Sequence, residues 1–245
     1  MKKESLVFLD TETTGTEVED RLCQVAYKFK GKESEGLFKP PIPIKIEAMA
    51  VSHITNKMVD EKEDFIGSEM QVKLVDVFKE NILVAHNAKF DADMLEKDGV
   101  KIESMIDTFK LVQYLDEKAE IPKYNLQYLR YYFDLQVENA MAHDALGDVR
   151  VLEKLFEKLF EKMIQEMKDE EKVLEKMLEI SALPILIKKI NFGKHKGKMV
   201  SDIAKDNAGA GYLKWLLGEK IKAKEQNGEN DKDWIYTLEY YLGNH

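Results

Sequence analysis

The sequence contains very little cysteine and no long apolar run, and both scarcities exclude whole classes of protein. The single cysteine, Cys23, excludes an intramolecular disulfide framework and a zinc cluster built from cysteines. No stretch of eighteen apolar residues occurs, and the five residues before Leu6 are too few for a signal peptide. We therefore expect a cytoplasmic protein without a membrane partner, folded around a sizeable core within its 245 residues.

Positive charge is also scarce, but its distribution is uneven. The formal net charge is −9, which is unfavourable for binding phosphates over the whole surface. Residues 186–245 nevertheless contain eleven lysines and eight acids, a local balance of +3, so the first 185 residues carry −12. Between Glu179 and Asp202 there are five lysines and no acid. This asymmetry predicts two parts with different roles.

The first part opens with a short apolar run that leads into two carboxylates. Leu6 to Leu9 predicts a buried strand, Asp10 and Glu12 follow, and Gly15 marks the end. Because side chains alternate along a strand, Asp10 and Glu12 share one face and lie close enough to bind one cation. Two such charges repel unless a divalent metal is bound. Taken alone, the pattern fits a solvated strand end equally well.

The remaining periodicity predicts an α/β domain with a mixed sheet flanked by helices. After an antiparallel meander of three strands, further strands alternate with helices. Strands are predicted at residues 21–30, 32–38, 81–86 and 101–106. Helices are predicted at residues 46–53, 67–80, 88–98, 107–115, 125–133 and 145–165.

Two further polar clusters lie where helices are predicted to begin. Asn87 is suited to cap the helix after the fourth strand, which places Asp91 in its first turn, near the carboxyl end of that strand. Asp91 alone would also be explained by a favourable interaction with the helix dipole. His143 and Asp148 are five residues apart, so they meet at one site only if His143 lies on the loop before the helix.

The three clusters together resemble a known family. Asp10-x-Glu12, His86-Asn87-x-x-x-Asp91 and His143-x-x-x-x-Asp148 are similar in order and spacing to the three motifs of the DEDD superfamily of 3′→5′ exonucleases. The histidine five positions before Asp148 indicates the histidine subgroup. The resemblance covers roughly the first 165 residues and implies a ribonuclease-H-like fold.

The resemblance also implies roles for these residues. Asp10, Glu12, Asp91 and Asp148 would bind two Mg²⁺ or Mn²⁺ ions, which prefer oxygen ligands. His143 would accept the proton of the attacking water, as suits a side chain that titrates near neutrality. The backbone of Glu12 and Thr13 and the side chain of Asn87 would contact the terminal nucleotide. Asp10, Glu12, Asp91, His143 and Asp148 are thus the candidate catalytic residues.

The C-terminal part is predicted to be separate from the exonuclease domain. We place that domain at residues 1–165, a helical linker at 166–185 and a small domain at 186–245. The segments 192–204 and 211–217 resemble the small domain attached to some exonucleases of the exonuclease X type. Lys194, Lys196 and Lys198 belong either to a solvated turn or to a phosphate-contacting loop. Helical spacing favours core positions for Tyr212 and Trp215, with stacking on bases as the alternative.

The function predicted is that of a metal-dependent 3′→5′ exodeoxyribonuclease acting in DNA repair or replication. It would hydrolyse phosphodiesters from the 3′ end of single-stranded or duplex DNA and release 5′-mononucleotides. One alternative is a 3′→5′ exoribonuclease, because the same acidic site serves RNA. Another is a proofreading or binding subunit of a DNA polymerase complex.

Overall fold

The structure, a computed structural model, describes residues 3–137, 145–228 and 230–243. The chain divides into two compact units. The first comprises the described residues within Met1–Leu111 and Lys123–Ser181, and the second those within Val112–Pro122 and Ala182–His245. No feature of the sequence indicates that residues 112–122 belong to the second unit.

The first unit is built on a five-stranded mixed sheet. Its strands are β1 (Leu6–Thr13), β2 (Leu22–Phe29), β3 (Lys32–Leu37), β4 (Ile82–Ala85) and β5 (Met105–Asp107), in the order β3-β2-β1-β4-β5. β1, β2 and β3 pair antiparallel, whereas β4 and β5 continue parallel to β1. The predicted meander and mixed sheet are confirmed.

Helices flank this sheet and pack against it to form the hydrophobic core of the first unit. They are α1 (Ile46–Ser52), α2 (Asn56–Val59), α3 (Glu69–Val77), α4 (Ala88–Lys97), α5 (Thr108–Leu115), α6 (Leu126–Tyr132), α7 (Ala145–Met167) and α8 (Glu170–Ala182), with α5 running on into the second unit. One cluster packs Leu9, Leu83 and Leu95 from the sheet and α4. A second packs Ala26 of β2 against Ala145 and Val149 of α7. Helices therefore cover the apolar side chains of the sheet, as expected for a sheet with helices on its faces.

Two local predictions need correction. The strand predicted from Lys101 is formed only from Met105 to Asp107. Asn87 precedes α4 as predicted, but it adopts the left-handed conformation (φ 68°) and its side chain makes no capping hydrogen bond. Its backbone N–H instead donates to Asp107 Oδ1 at 3.0 Å. The position of Asn87 before α4 was predicted correctly, but its predicted role as a side-chain cap is wrong.

The second unit is helical and has its own core. It contains α9 (Val200–Ala204), α10 (Asn207–Asn227) and α11 (Lys232–Leu242). Its buried residues are Ile190, Val200, Ile203, Leu213, Leu216, Trp234 and Leu238. An antiparallel bridge between Lys189 and Met199 closes the glycine-rich loop of residues 190–198. In the described parts of the chain, none of the helices combines the length and the apolar character needed to cross a membrane.

Candidate active site

Asp10 and Glu12 lie within β1, beyond the apolar residues that anchor this strand. Both are partly buried, and the pairing of β1 with β2 shifts register between Glu12 and Thr13. The chain then turns at Gly15, where an added Cβ would lie 2.5 Å from Oδ2 of the buried Asp20. Asp20 in turn accepts a hydrogen bond from Thr14 Oγ1 at 2.7 Å. The end of the acidic strand is thus fixed by a tight polar turn.

Asp91 lies in the first turn of α4 and is buried. Its Oδ1 accepts hydrogen bonds from the backbone N–H of Thr11 at 3.1 Å and from Thr11 Oγ1 at 2.7 Å. Burial raises the pKa of Asp91 to about 7, although the Thr11 hydrogen bonds favour its ionised form. The carboxyl group is therefore connected directly to β1, which explains the placement of α4 beside the acidic strand.

Asp148 lies in the first turn of α7 and is also buried. Gln127 of α6 donates a hydrogen bond from Nε2 to Asp148 Oδ1. The other amide atom, Gln127 Oε1, is buried and has no hydrogen-bond partner among the described residues. Gln127 was not predicted as a site residue. Its contact with Asp148 depends on how α6 packs on α7, and no sequence motif includes Gln127.

The four carboxylates interact electrostatically. The pKa of Asp10 is raised well above its ordinary value, chiefly by burial and then by the charges of Asp91, Asp148 and Glu12. β1, α4 and α7 thus bring together the four acids that the sequence places in three separate clusters. Such a concentration of negative charge is unfavourable by itself and favours binding of cations.

The donor set fits a hard divalent ion, although it is not a preformed cage. All four side chains offer carboxylate oxygens, as Mg²⁺ and Mn²⁺ prefer, and the lone Cys23 is buried with a pKa raised to about 12 by burial. Among the described residues, however, no three acidic, histidine or cysteine side chains are spaced as a ready metal cluster. Thr11 and Gln127 hold two of the acids in other hydrogen bonds.

Within residues 1–165, the predicted site residues outside the acidic cluster are His143, Asn87 and Thr13. His143, the predicted proton acceptor, lies outside the described residues. Asn87 is exposed at the start of α4, four residues before Asp91, so its side chain is accessible to a substrate. Thr13 is buried and its hydroxyl donates to the Gly15 carbonyl at 2.6 Å.

His86 has a structural environment. Its Nε2 donates to the Tyr124 carbonyl at 2.6 Å, and its Nδ1 lies 2.9 Å from Thr108 Oγ1. Burial lowers the pKa of His86 to about 4, so the ring is neutral at physiological pH. This histidine connects the end of β4 to the start of α5 and to the segment before α6.

The lysines between Ile187 and Met199 fall into two groups. Lys188 Nζ donates to the carbonyls of Gln113, Tyr114 and Asp116, and Lys189 Nζ donates to that of Ala119. These two side chains bind residues 112–122 and explain why that segment belongs to this unit. Lys194, Lys196 and Lys198 are exposed, as either reading of their loop requires.

The aromatic residues of α10 were predicted as core, and the prediction is wrong for Trp215. Its side chain is 58% exposed, whereas Tyr212 is partly buried against the core. Leu213 and Leu216 fill the apolar stripe instead. The spacing that suggested a core position for Trp215 belongs to these neighbouring leucines.

Comparison with known proteins agrees with this arrangement. Residues 7–156 match the family model described as "Exonuclease", which spans the sheet and all four acids. The chain belongs to this exonuclease family. Residues 190–220 of the exonuclease also match a model described as "Exodeoxyribonuclease X-like C-terminal", which includes the glycine-rich loop and the first part of α10.

The individual relatives are similar to this chain over different shares of its length. Exodeoxyribonuclease 10 of Escherichia coli K12 is 32% identical over 251 residues, covering 98% of this chain and 99% of its own. DNA polymerase III subunit epsilon of Treponema pallidum is 32% identical over 159 residues, covering 60% of this chain and 72% of its own. A solved structure of exonuclease X in complex with 5′ overhanging duplex DNA is 26% identical, with a TM-score of 0.56 over 72% of this chain and 99% of that chain.

These matches establish the class of enzyme. The protein is a 3′→5′ exonuclease of the histidine subgroup with a ribonuclease-H-like fold, as its three motifs predict. The family depends on divalent metal ions. The similarity to exodeoxyribonuclease 10 continues through the second unit, whereas the similarity to subunit epsilon covers little more than half of the chain.

Proposed function

We propose that this exonuclease is a metal-dependent 3′→5′ exodeoxyribonuclease that removes 5′-mononucleotides from the 3′ end of DNA. The observation that carries the proposal is the electrostatic coupling of Asp10 with Glu12, Asp91 and Asp148. Support for DNA as the substrate comes from the similarity to exodeoxyribonuclease 10 along 98% of the chain. We place its role in DNA repair or replication, and its cytoplasmic location stays a prediction.

In this proposal, the four carboxylates hold two Mg²⁺ or Mn²⁺ ions. Bound divalent ions would supply an activated water and stabilise charge on the leaving 3′ oxygen. Asp10, Glu12 and Asp148 would hold the ion that activates the water, and Asp91 would complete the site. His143 would take the proton from this water. Thr11 and Gln127 would keep Asp91 and Asp148 oriented through their hydrogen bonds.

Substrate contacts are proposed at both units. Asn87, exposed at the start of α4, and the backbone at Thr13 would bind the terminal nucleotide. Lys194, Lys196 and Lys198 would contact phosphates further along the strand, since they are exposed and carry positive charge in a chain that is otherwise acidic.

The test is a comparison of substrates with the full-length protein. We expect Mg²⁺-dependent release of labelled mononucleotide from 3′-labelled DNA and stepwise shortening of 5′-labelled DNA, with none in chelator. Asp10→Asn should abolish release, whereas Asp76→Asn should not, because Asp76 is a surface acid whose side chain is 80% exposed. Faster cleavage of RNA than of DNA would favour the exoribonuclease alternative. Wild-type activity in Asp10→Asn would overturn the proposal.

A further inference from the structure

The second unit exposes a large aromatic side chain that its own core does not require. Trp215 of α10 is 58% exposed, while the other tryptophan of the chain, Trp234, is 7% exposed and packs in the core. A tryptophan side chain gains most of its stabilising effect from burial, so an indole left largely in solvent suggests contact with a ligand.

Glycines flank Trp215 on the same side of α10. Gly211 precedes it by four residues and Gly218 follows it by three, so all three lie on one helix face. A Cβ added at Gly211 or Gly218 would meet no atom within 4 Å other than its chain neighbours and the adjoining backbone of α10. Neither glycine is therefore required by packing, although each costs up to about 1 kcal/mol relative to alanine in a helix interior. Their effect is to leave the indole uncovered on both sides.

Neighbouring rings extend the aromatic surface. The centroid of Tyr212 lies 5.7 Å from that of Trp215, with an interplanar angle of 38°. The ring of His195, from the glycine-rich loop, lies 4.5 Å from Tyr212. Lys194 Nζ lies 5.1 Å from the centroid of Tyr212. The loop and the helix thus form one surface, which we call the aromatic platform: His195, Tyr212 and Trp215.

Lysines lie next to the platform in the sequence, where Lys194 and Lys196 flank His195 and Lys214 precedes Trp215. Lys194, Lys196, Lys198 and Lys214 are exposed, and the described residues provide no ion pair for any of them. Elsewhere in this unit, Lys205, Lys220 and Lys222 pair with Asp202, Asp231 and Glu219. Aromatic faces beside unpaired lysines have the chemistry that binds unpaired bases together with their phosphates.

We propose that the aromatic platform binds single-stranded DNA by stacking its bases on Trp215, with the four unpaired lysines contacting the backbone. The inference rests on the proposed function and adds a strand preference to it. In a duplex the base faces are covered by neighbouring base pairs, so only an unpaired segment can stack on Trp215. Stacking does not read base identity, which suits an enzyme that degrades strands of any sequence.

Fluorescence of the full-length protein tests this directly, because only one of its two tryptophans is exposed. In chelator, where the DNA stays intact, oligo(dT) should quench the exposed Trp215 and leave the buried Trp234 largely unaffected. An abasic oligomer of equal length and charge should bind more weakly and quench little. Equal binding and equal quenching by the abasic oligomer would overturn the proposal, as would quenching by blunt duplex to the same extent.

Three substitutions separate stacking from other effects. Trp215→Ala should weaken oligo(dT) binding roughly 5- to 150-fold, the range for loss of one stacked base, and Trp215→Phe should restore much of it. Tyr240→Ala is the control, because Tyr240 is 51% exposed on α11 and lies outside the platform. Gly218→Leu should keep or raise the melting temperature while weakening oligo(dT) binding. Unchanged affinity in Trp215→Ala, with the fold intact, contradicts the platform.

The two proposals fail in distinguishable ways. If the platform is wrong, Trp215→Ala binds oligo(dT) like the wild type while mononucleotide release from DNA continues. If the proposed nuclease function is wrong, the wild type itself releases no mononucleotide in Mg²⁺. Quenching by oligo(dT) that is lost in Trp215→Ala supports the platform in either case.

Discussion

Asp91 and Asp148 are each restrained by a neutral hydrogen-bond donor from another element. Thr11 of β1 donates to Asp91, and Gln127 of α6 donates to Asp148. These donors compensate part of the cost of burying a carboxylate and leave the negative charge in place. At the scale of single residues, the site is therefore poised between binding protons and binding metal ions.

Asp91 should make the stability of the metal-free protein depend on pH. Its pKa is raised from 3.8 to about 7, so its contribution to stability is present below about pH 4 and lost as pH rises through about 7. Asp91→Asn keeps an acceptor for Thr11 and removes the titration. In chelator, we expect the melting temperature of the variant relative to the wild type to rise by a few degrees between about pH 5 and pH 8.

The matched control for this measurement is Asp76→Asn, whose carboxylate is exposed on α3. Its melting temperature relative to the wild type should not change over the same interval. An offset for Asp91→Asn that stays constant with pH would show that Asp91 does not titrate in this range.

Gln127 should act as a positioning residue for Asp148. Gln127→Leu removes the donated hydrogen bond, so Asp148 would be free to adopt orientations unsuited to an ion. We expect the affinity for Mn²⁺ to fall by about 10- to 100-fold, the usual effect of removing a partner of a metal ligand. Titration calorimetry of the full-length protein without DNA measures this independently of activity.

Gln136→Leu provides the comparison for that variant. Gln136 also donates from Nε2 to an aspartate, Asp134, at 2.8 Å, but on the exposed surface. The Gln136→Leu variant should therefore bind Mn²⁺ with the affinity of the wild type. If Gln127→Leu does the same, Asp148 is oriented without Gln127.

At the scale of elements, the central strands and most helices could be predicted, because their apolar periodicity is strong. β1 was predictable as a buried strand that delivers Asp10 and Glu12, and α4 as a helix that begins at the end of the fourth strand. The left-handed conformation of Asn87 was not, and its N–H bonds to Asp107, twenty residues further along the chain. Contacts between elements distant in sequence leave no local periodic signal.

His86 illustrates such a contact and gives a prediction about element packing. It joins β4 to α5 and to Tyr124, and burial lowers its pKa to about 4. The folded protein therefore resists a protonation that the unfolded chain accepts near pH 6.5. Its contribution to stability is present above about pH 6.5 and lost as pH falls through about 4. This direction is opposite to that of Asp91.

His86→Gln removes this titration while keeping a donor for the Tyr124 carbonyl. We expect the wild type to lose stability relative to the variant as pH falls from about 6.5 to about 4, measured as the difference in urea midpoints. His53→Gln is the control, because His53 is exposed. A difference that does not change with pH would mean that His86 is protonated equally in both states.

At the scale of the whole molecule, charge is divided between the two units. The chain carries −9 overall, yet residues 186–245 carry +3, and part of this excess lies in exposed lysines that form no ion pair with the described residues. This charge asymmetry was predictable from composition. The structural use of Lys188 and Lys189 and the exposure of Trp215 were not, because both depend on which neighbours cover them.

The exposed lysines should determine how DNA binding responds to salt. Replacing Lys194, Lys196 and Lys198 by glutamine should reduce the slope of log affinity against log salt by about 2 for single-stranded DNA, at roughly 0.7 per phosphate contact. The same change in charge at Lys205, Lys220 and Lys222 is the control, because each of these lysines already pairs with an acid. Equal slopes for both triple variants would rule out a specific backbone contact by the loop.

The central claim is that Asp10 of β1 and Asp148 of α7, which are far apart in the sequence, act in one catalytic site. The most direct measurement is the rate of mononucleotide release from 3′-labelled DNA by Asp10→Asn, Asp148→Asn and the double variant. In each single variant, this rate should fall on the order of 10³-fold or more. In the double variant it should fall about as far as in the more affected single variant, because the effects of residues that act as a unit are not additive. Losses that multiply in the double variant, or wild-type rates in either single variant, would contradict it.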